Sequence, residues 1–208
     1  MAYVEGTNSS ETINLFDGVT FGEDFILGNG GDDSIWGLGG DDDIVGGSGA
    51  DALHGGTGTD TADYSNSTVG IIASLAAGEG AGGDAEGDTY FSIENLEGTG
   101  YADALVGNDG SNLLVGFSGD DFLDGGDGDD TLDGGSDNDT LKGGGGADVL
   151  NGNSGIDTVS YEDSPSGVTV LLLAGEGRFG DAEGDEFLRI ENLTGSDHAR
   201  KYARQSDC

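Results

Sequence analysis

From Gly116 to Asn151 the sequence reads GFSGDDFLD, GGDGDDTLD, GGSDNDTLK, GGGGADVLN, four consecutive runs of nine residues. Each begins with Gly, holds Asp in sixth place and Leu in eighth. The frame extends outward in both directions. Before it stand GTGYADALV (98–106) and GNDGSNLLV (107–115), and after it GNSGIDTVS (152–160). The same frame governs GNGGDDSIW, GLGGDDDIV, GGSGADALH and GGTGTDTAD over 28–63. The eighth place holds Ile35, Ile44, Leu53, Ala62, Leu105, Leu114, Leu123, Leu132, Leu141, Leu150 and Val159. The sixth holds Asp33, Asp42, Asp51, Asp60, Asp103, Asn112, Asp121, Asp130, Asp139, Asp148 and Asp157. A Gly-rich acidic tract without a period reads as disordered. An apolar residue kept in one column through every unit marks a repeat architecture instead.

A longer repeat lies over the short one. Tyr64 to Glu97 recurs as Tyr161 to Thr194 at a constant offset of 97 residues, with Gly83-Asp84-Ala85-Glu86-Gly87-Asp88 matched by Gly180-Asp181-Ala182-Glu183-Gly184-Asp185. The organisation read from this is a cap at 1–27, a short array at 28–63, an insert at 64–97, a long array at 98–160, a second insert at 161–194 and a tail at 195–208. Within the cap, Gly6 to Asn14 forms a degenerate nonapeptide, and Phe16, Phe21 and Phe25 are expected to close the open end of a stack, as solenoids require.

Composition narrows the partners. The 208 residues carry 42 Asp and Glu against six Lys and Arg, a formal charge of −36, with 44 Gly and one Pro. Nucleic acid is excluded as an electrostatic partner, because its recognition needs a basic surface. Cations are the natural partners. Cys208 stands alone, so no intrachain disulfide forms. The opening Met-Ala-Tyr-Val-Glu lacks the basic and apolar regions of a signal peptide, and no apolar run is long enough to span a bilayer as a helix.

Physically, each nonapeptide divides into a six-residue glycine loop and three strand residues. The strand alternates out, in, out, so the eighth side chain points inward and successive strands stack into a narrow all-β solenoid. One aliphatic residue per unit is a thin core, and stacking the Asp column on itself adds like-charge repulsion. A hard divalent cation answers both. Ca²⁺ accepts six to eight carboxylate and carbonyl oxygens at flexible geometry, which a glycine loop ending in Asp presents. Mg²⁺ demands tighter geometry, and softer metals lack ligands here, with one terminal Cys and two scattered His.

The units Gly46 to His54 and Gly125 to Asp133 match GGxGxDxUx in full. The arrays thereby resemble the repeats-in-toxin (RTX) calcium-binding family. The resemblance implies a right-handed parallel β-roll, two nonapeptides per turn, with Ca²⁺ between loops two units apart. It also implies secretion to the extracellular space through a type I exporter without an N-terminal signal peptide, and folding on external calcium. Carried onto this chain, it makes the ten sixth-place Asp residues and Asn112 the metal ligands, with a weaker site at Asn112. Pairing alternate units gives about seven sites, two in the short array and five in the long one.

Weaker signals accompany these. Asp84, Glu86 and Asp88, with Asp181, Glu183 and Asp185, form candidate extra cation sites or solvated turns. The apolar runs Ile71 to Ala77 and Val168 to Ala174 are expected to continue the solenoid as strands. Trp36 sits at an outward ninth place, as a surface aromatic or a platform for a sugar ring. A polysaccharide or cell-surface partner, as in uronan epimerases and rhizobial adhesion proteins, is the alternative to plain calcium binding. Arg200 stands where the long repeat calls for Asp, and with Lys201 and Arg204 it makes a basic tail, read as a capping or export element or as the end of a truncated chain. No enzyme is expected, since neither His54 nor His198 has a Ser, Cys or zinc constellation around it.

Overall fold

The computed structural model describes residues 1–14 and 17–196 and the backbone of 201–202. It is all β, with only two 3-10 turns, Gly83–Ala85 and Gly180–Ala182, among the described residues. Phe16, His198, Arg200, Arg204 and Cys208 lie outside them. The chain forms two compact units, Met1–Leu105 and Val106–Cys208. The boundary falls inside the first nonapeptide of the long array.

Each unit is a parallel β-roll with two faces. In the first, one sheet orders Ala2–Glu5, Asp24–Leu27, Asp43–Val45, Thr61–Asp63 and Asn95–Glu97, and the other begins Thr12–Ile13, Ser34–Gly39, Ala52–Thr57 and Thr89–Phe91. In the second, Leu113–Val115, Thr131–Ser136, Val149–Ser154 and Glu186–Leu188 make one face, and Phe122–Asp127, Thr140–Gly145, Thr158–Ser160 and Asn192–Thr194 the other. Register advances by 18 residues per turn within the arrays: Ile35 pairs with Leu53, Leu123 with Leu141, and Leu132 with Leu150. Two nonapeptides therefore complete one turn. The eighth-place column is fully buried from Ile35 to Val159, each side chain at 0% exposure.

Several strands run longer than the three residues expected. Phe122–Asp127 and Thr140–Gly145 continue into the following loop, where Gly126 pairs with Gly144. Side-chain-free residues let adjacent backbones stay in ladder contact past the last apolar position.

The inserts correct one expectation. Of the two apolar runs, only Ile72–Ser74 and Thr169–Leu171 are strands. On one edge they pair antiparallel with Glu79–Ala81 and Glu176–Arg178 as a local meander, while on the other they continue the stack: Ala104 N–H donates to the Ile71 carbonyl (2.9 Å), and Thr169–Leu171 pairs parallel with Lys201–Tyr202. The meander's last strand rejoins the parallel face, placing Tyr90 beside Leu53 and Phe187 beside Leu150.

The N-terminal region is more repetitive than it reads. Ile13 of the degenerate nonapeptide is buried beside Ile35, and a second degenerate unit, Val19 to Leu27, buries Ile26 beside Ile44. Phe21 does not cap the stack. Its side chain stands 76% exposed, while Phe25 stacks on Tyr3 at 5.6 Å.

Candidate metal centre

The sixth-place carboxylates are tied into ladders through the backbone. Asp51 Oδ1 accepts the N–H of Asp33 (2.8 Å) and Asp60 Oδ1 that of Asp42 (2.9 Å). In the second unit Asp130, Asp139, Asp148 and Asp157 accept from Asn112, Asp121, Asp130 and Asp139 at 2.8–3.0 Å. One oxygen of each carboxylate thereby holds the start of the strand one full turn earlier.

The other oxygen has no such use. The Oδ2 atoms of Asp33, Asp42, Asp51, Asp60, Asp130, Asp139, Asp148 and Asp157 are buried without a hydrogen-bond partner. Their side chains are at most 3% exposed. Burial pushes the carboxyls of Asp42, Asp139 and Asp148 up to about 7, and those of Asp51, Asp60 and Asp130 up to about 6. Asp33 and Asp157 move up for the same reason. Desolvation disfavours the charged form, and neighbouring acids add to it. A buried polar atom left unpaired costs free energy comparable to a lost hydrogen bond or more. Eight such oxygens in register could be satisfied by a positive charge.

The loop backbone supplies the remaining donors. A β-carbon at Gly37 would strike Asp42 Oδ2 and come within 2.7 Å of the Gly55 carbonyl oxygen; at Gly125 it would strike Asp130 Oδ2 and come within 2.7 Å of Gly143 O. First-place glycines thus keep open a space where a carboxylate oxygen of one loop and a carbonyl of the loop 18 residues on converge. No three Asp, Glu, His or Cys side chains gather at one point among the described residues. Each loop contributes one carboxylate, so a shell must be completed by carbonyls. An all-oxygen, mixed carboxylate and carbonyl donor set suits Ca²⁺.

Some expected ligands have other partners. Asp103 accepts the N–H of Ile71 (2.8 Å) on Oδ1 and that of Thr99 (2.6 Å) on Oδ2, with the Thr99 hydroxyl also donating to Oδ1 (3.0 Å). Asn112 Oδ1 accepts from Asn108 N–H at 2.8 Å. In the inserts the acids are divided among tasks. Asp88 accepts from Asp51 N–H (2.8 Å) and the Tyr64 hydroxyl (2.7 Å), and Asp185 from Asp148 N–H and the Tyr161 hydroxyl. Glu86 and Glu183 accept backbone N–H groups of Gly82 and Phe179, while Asp84 and Asp181 receive no such strand-starting role. The structure does not bring either acidic trio together.

Four ladder members escaped the sequence reading. Glu11 N–H donates to Asp33, Asp24 N–H to Asp42, and Glu94 and Glu191 accept from the N–H groups of Asp60 and Asp157. The signal was present: Ser92-Ile93-Glu94-Asn95-Leu96 keeps an acid two places before a buried aliphatic residue, with Glu replacing Asp.

Trp36, His54 and Phe91 form a stack on the outer face, with ring centroids 3.9 and 4.5 Å apart. Burial lowers the His54 pKa. The rings turn faces to one another along the stack, so a sugar finds Trp36's His54-side face covered.

No helix among the described residues is long and apolar enough to cross a membrane. No curated protein matches the chain. The RTX calcium-binding nonapeptide repeat matches it in four copies, at residues 20–53, 27–62, 97–132 and 124–159. Those matches span both arrays and slightly more than half the chain, and they take in the eight loops whose carboxylate Oδ2 atoms lie buried without a hydrogen-bond partner. The chain belongs to the RTX calcium-binding nonapeptide repeat family.

Proposed function

We propose that this is a secreted β-roll that folds as it binds extracellular Ca²⁺ between loops two units apart. The observation that carries the reading is the register of buried Oδ2 atoms without hydrogen-bond partners on Asp33, Asp42, Asp51, Asp60, Asp130, Asp139, Asp148 and Asp157. Bound Ca²⁺ supplies positive charge where the ladder leaves carboxylate oxygens unpaired. The chain's own residues do the rest. First-place glycines keep the space open, Oδ1 atoms fix the carboxylates by accepting N–H groups, and the eighth-place aliphatic residues hold the strands in register. Without the cation, the stacked charges oppose a thin core.

The test is circular dichroism in chelator, then across a calcium titration. The expected result is a largely disordered spectrum that becomes β-rich with a midpoint of about 0.1–1 mM, the range of extracellular calcium modules. An unchanged β spectrum in chelator, or an equal response to Mg²⁺, would overturn the proposal. Secretion is tested separately by following the chain in culture medium with and without a type I exporter.

A further inference from the structure

The eleven loops are not alike in backbone. At the second place of nine of them φ is positive: Asn29 77°, Leu38 76°, Gly47 94°, Gly56 110°, Phe117 69°, Gly126 103°, Gly135 103°, Gly144 100° and Asn153 64°. The two exceptions are Thr99 and Asn108. In those two loops the second-place N–H turns inward onto the sixth-place side chain, at 2.6 Å to Asp103 Oδ2 and 2.8 Å to Asn112 Oδ1. The degenerate unit at Val19 to Leu27 repeats the arrangement. Thr20 donates its N–H to Asp24 Oδ2 (2.6 Å) and its hydroxyl to the same carboxylate, and Asp24 is pulled below the ordinary carboxylate range, burial being outweighed by these bonds together with that from Ala2 N–H and the N-terminal charge. Eight of the nine left-handed loops carry a sixth-place Oδ2 that is buried without a hydrogen-bond partner.

We infer that the second-place backbone decides which loops take a cation: left-handed loops are open and bind it, whereas loops closed by Thr20, Thr99 or Asn108 are cation-free rungs that the protein satisfies by itself. The inference rests on the calcium reading above and refines it. The physical basis is competition for one oxygen. An N–H at the second carboxylate oxygen occupies the lone pair a cation needs, and the loop conformation that aims it there is an alternative to the left-handed one. Open loops then pair two units apart as 33 with 51, 42 with 60, 121 with 139, 130 with 148 and 139 with 157. The closed rungs stand before each array, at Asp24 ahead of the short one and at Asp103 and Asn112 leading the long one. They supply a start to each stack that does not wait for calcium.

Asn112 makes the inference testable. Were the missing carboxylate the only defect of that loop, Asn112→Asp would create a site. With a closed backbone, it does not. Bound calcium per chain is counted by equilibrium dialysis for the wild type, Asn112→Asp, and Asn108→Gly with Asn112→Asp. Asn112→Asp is expected to bind as many ions as the wild type, and the double variant more. Phe117→Thr, which favours the closed loop by placing a β-branched residue where φ is positive, is expected to lose bound calcium while the Thr99 and Asn108 loops keep their amide-exchange protection in chelator. An Asn112→Asp count equal to a raised double-variant count would overturn the inference, as would Phe117→Thr binding like the wild type. A wild type that binds no calcium would remove the calcium reading itself, a separate result from either.

Discussion

Leu38 and Phe117 hold φ at 76° and 69° with a β-carbon present, a conformation costing about 1–2 kcal/mol for any residue but Gly. Phe117 is 39% exposed, so little packing offsets the strain. Phe117→Gly is expected to raise stability in calcium by about 0.5–1 kcal/mol, read as a higher Tm. An unchanged or lower Tm would show that the loop is unstrained. At the same scale, the buried carboxyls set a pH dependence with a definite sign. Asp42, Asp139 and Asp148 rise to about 7, and Asp51, Asp60 and Asp130 to about 6, from a reference of 3.8. The cation-free fold therefore binds more protons than the unfolded chain between about pH 4 and 7, and its stability falls as pH rises through that window. In chelator, residual β signal should be greatest near pH 4 and fade by pH 7.5. A signal that grows with pH in chelator would contradict the burial of these groups.

Strands carry the stack through one buried aliphatic residue apiece, so an interior truncation has nothing nearby to compensate. Leu132→Ala, at 0% exposure and in register with Leu114 and Leu150, is expected to cost about 2–4 kcal/mol and to move the calcium midpoint upward. The ladders grade the carboxylates by position. Asp139 accepts from Asp121 and donates its N–H to Asp157, so it has a stacked Asp on both sides. Asp157 accepts from Asp139 and donates to Glu191. Asp139→Ala should raise the calcium midpoint more than Asp157→Ala, because repeats couple to their nearest neighbours. Equal shifts would mean that the loops act alone. The strand register and core column were legible because a period of nine with one apolar place leaves few other arrangements. The inserts were less so. Ile71 to Ala77 is apolar enough for a strand, but a turn after Ser74 and the antiparallel partner Glu79–Ala81 depend on contacts that a local pattern does not encode.

Within each unit the same plan recurs: parallel turns, then an antiparallel meander whose final strand returns to the parallel face. The Tyr–Asp contact recurs too, as Tyr64 on Asp88 and Tyr161 on Asp185, so each meander carries its own buried polar anchor. What the residues alone could not reveal was the difference between open and closed loops. Thr99 and Asp103 fit the repeat by identity, and only their backbone conformation and hydrogen bonds set them apart from Leu38 and Asp42. The outer-face stack has a practical consequence. Trp36 is the chain's single tryptophan, it lies in Met1–Leu105, and its ring sits 3.9 Å from that of His54. Its emission is therefore a built-in optical reporter for one half of the chain, and Val106–Cys208 is silent to it. Protonated imidazole at that distance quenches indole light, so the reporter should dim as His54 titrates while the fold persists. Followed beside circular dichroism through one calcium titration, the two curves would separate if the halves assemble at different concentrations and superimpose if they assemble together.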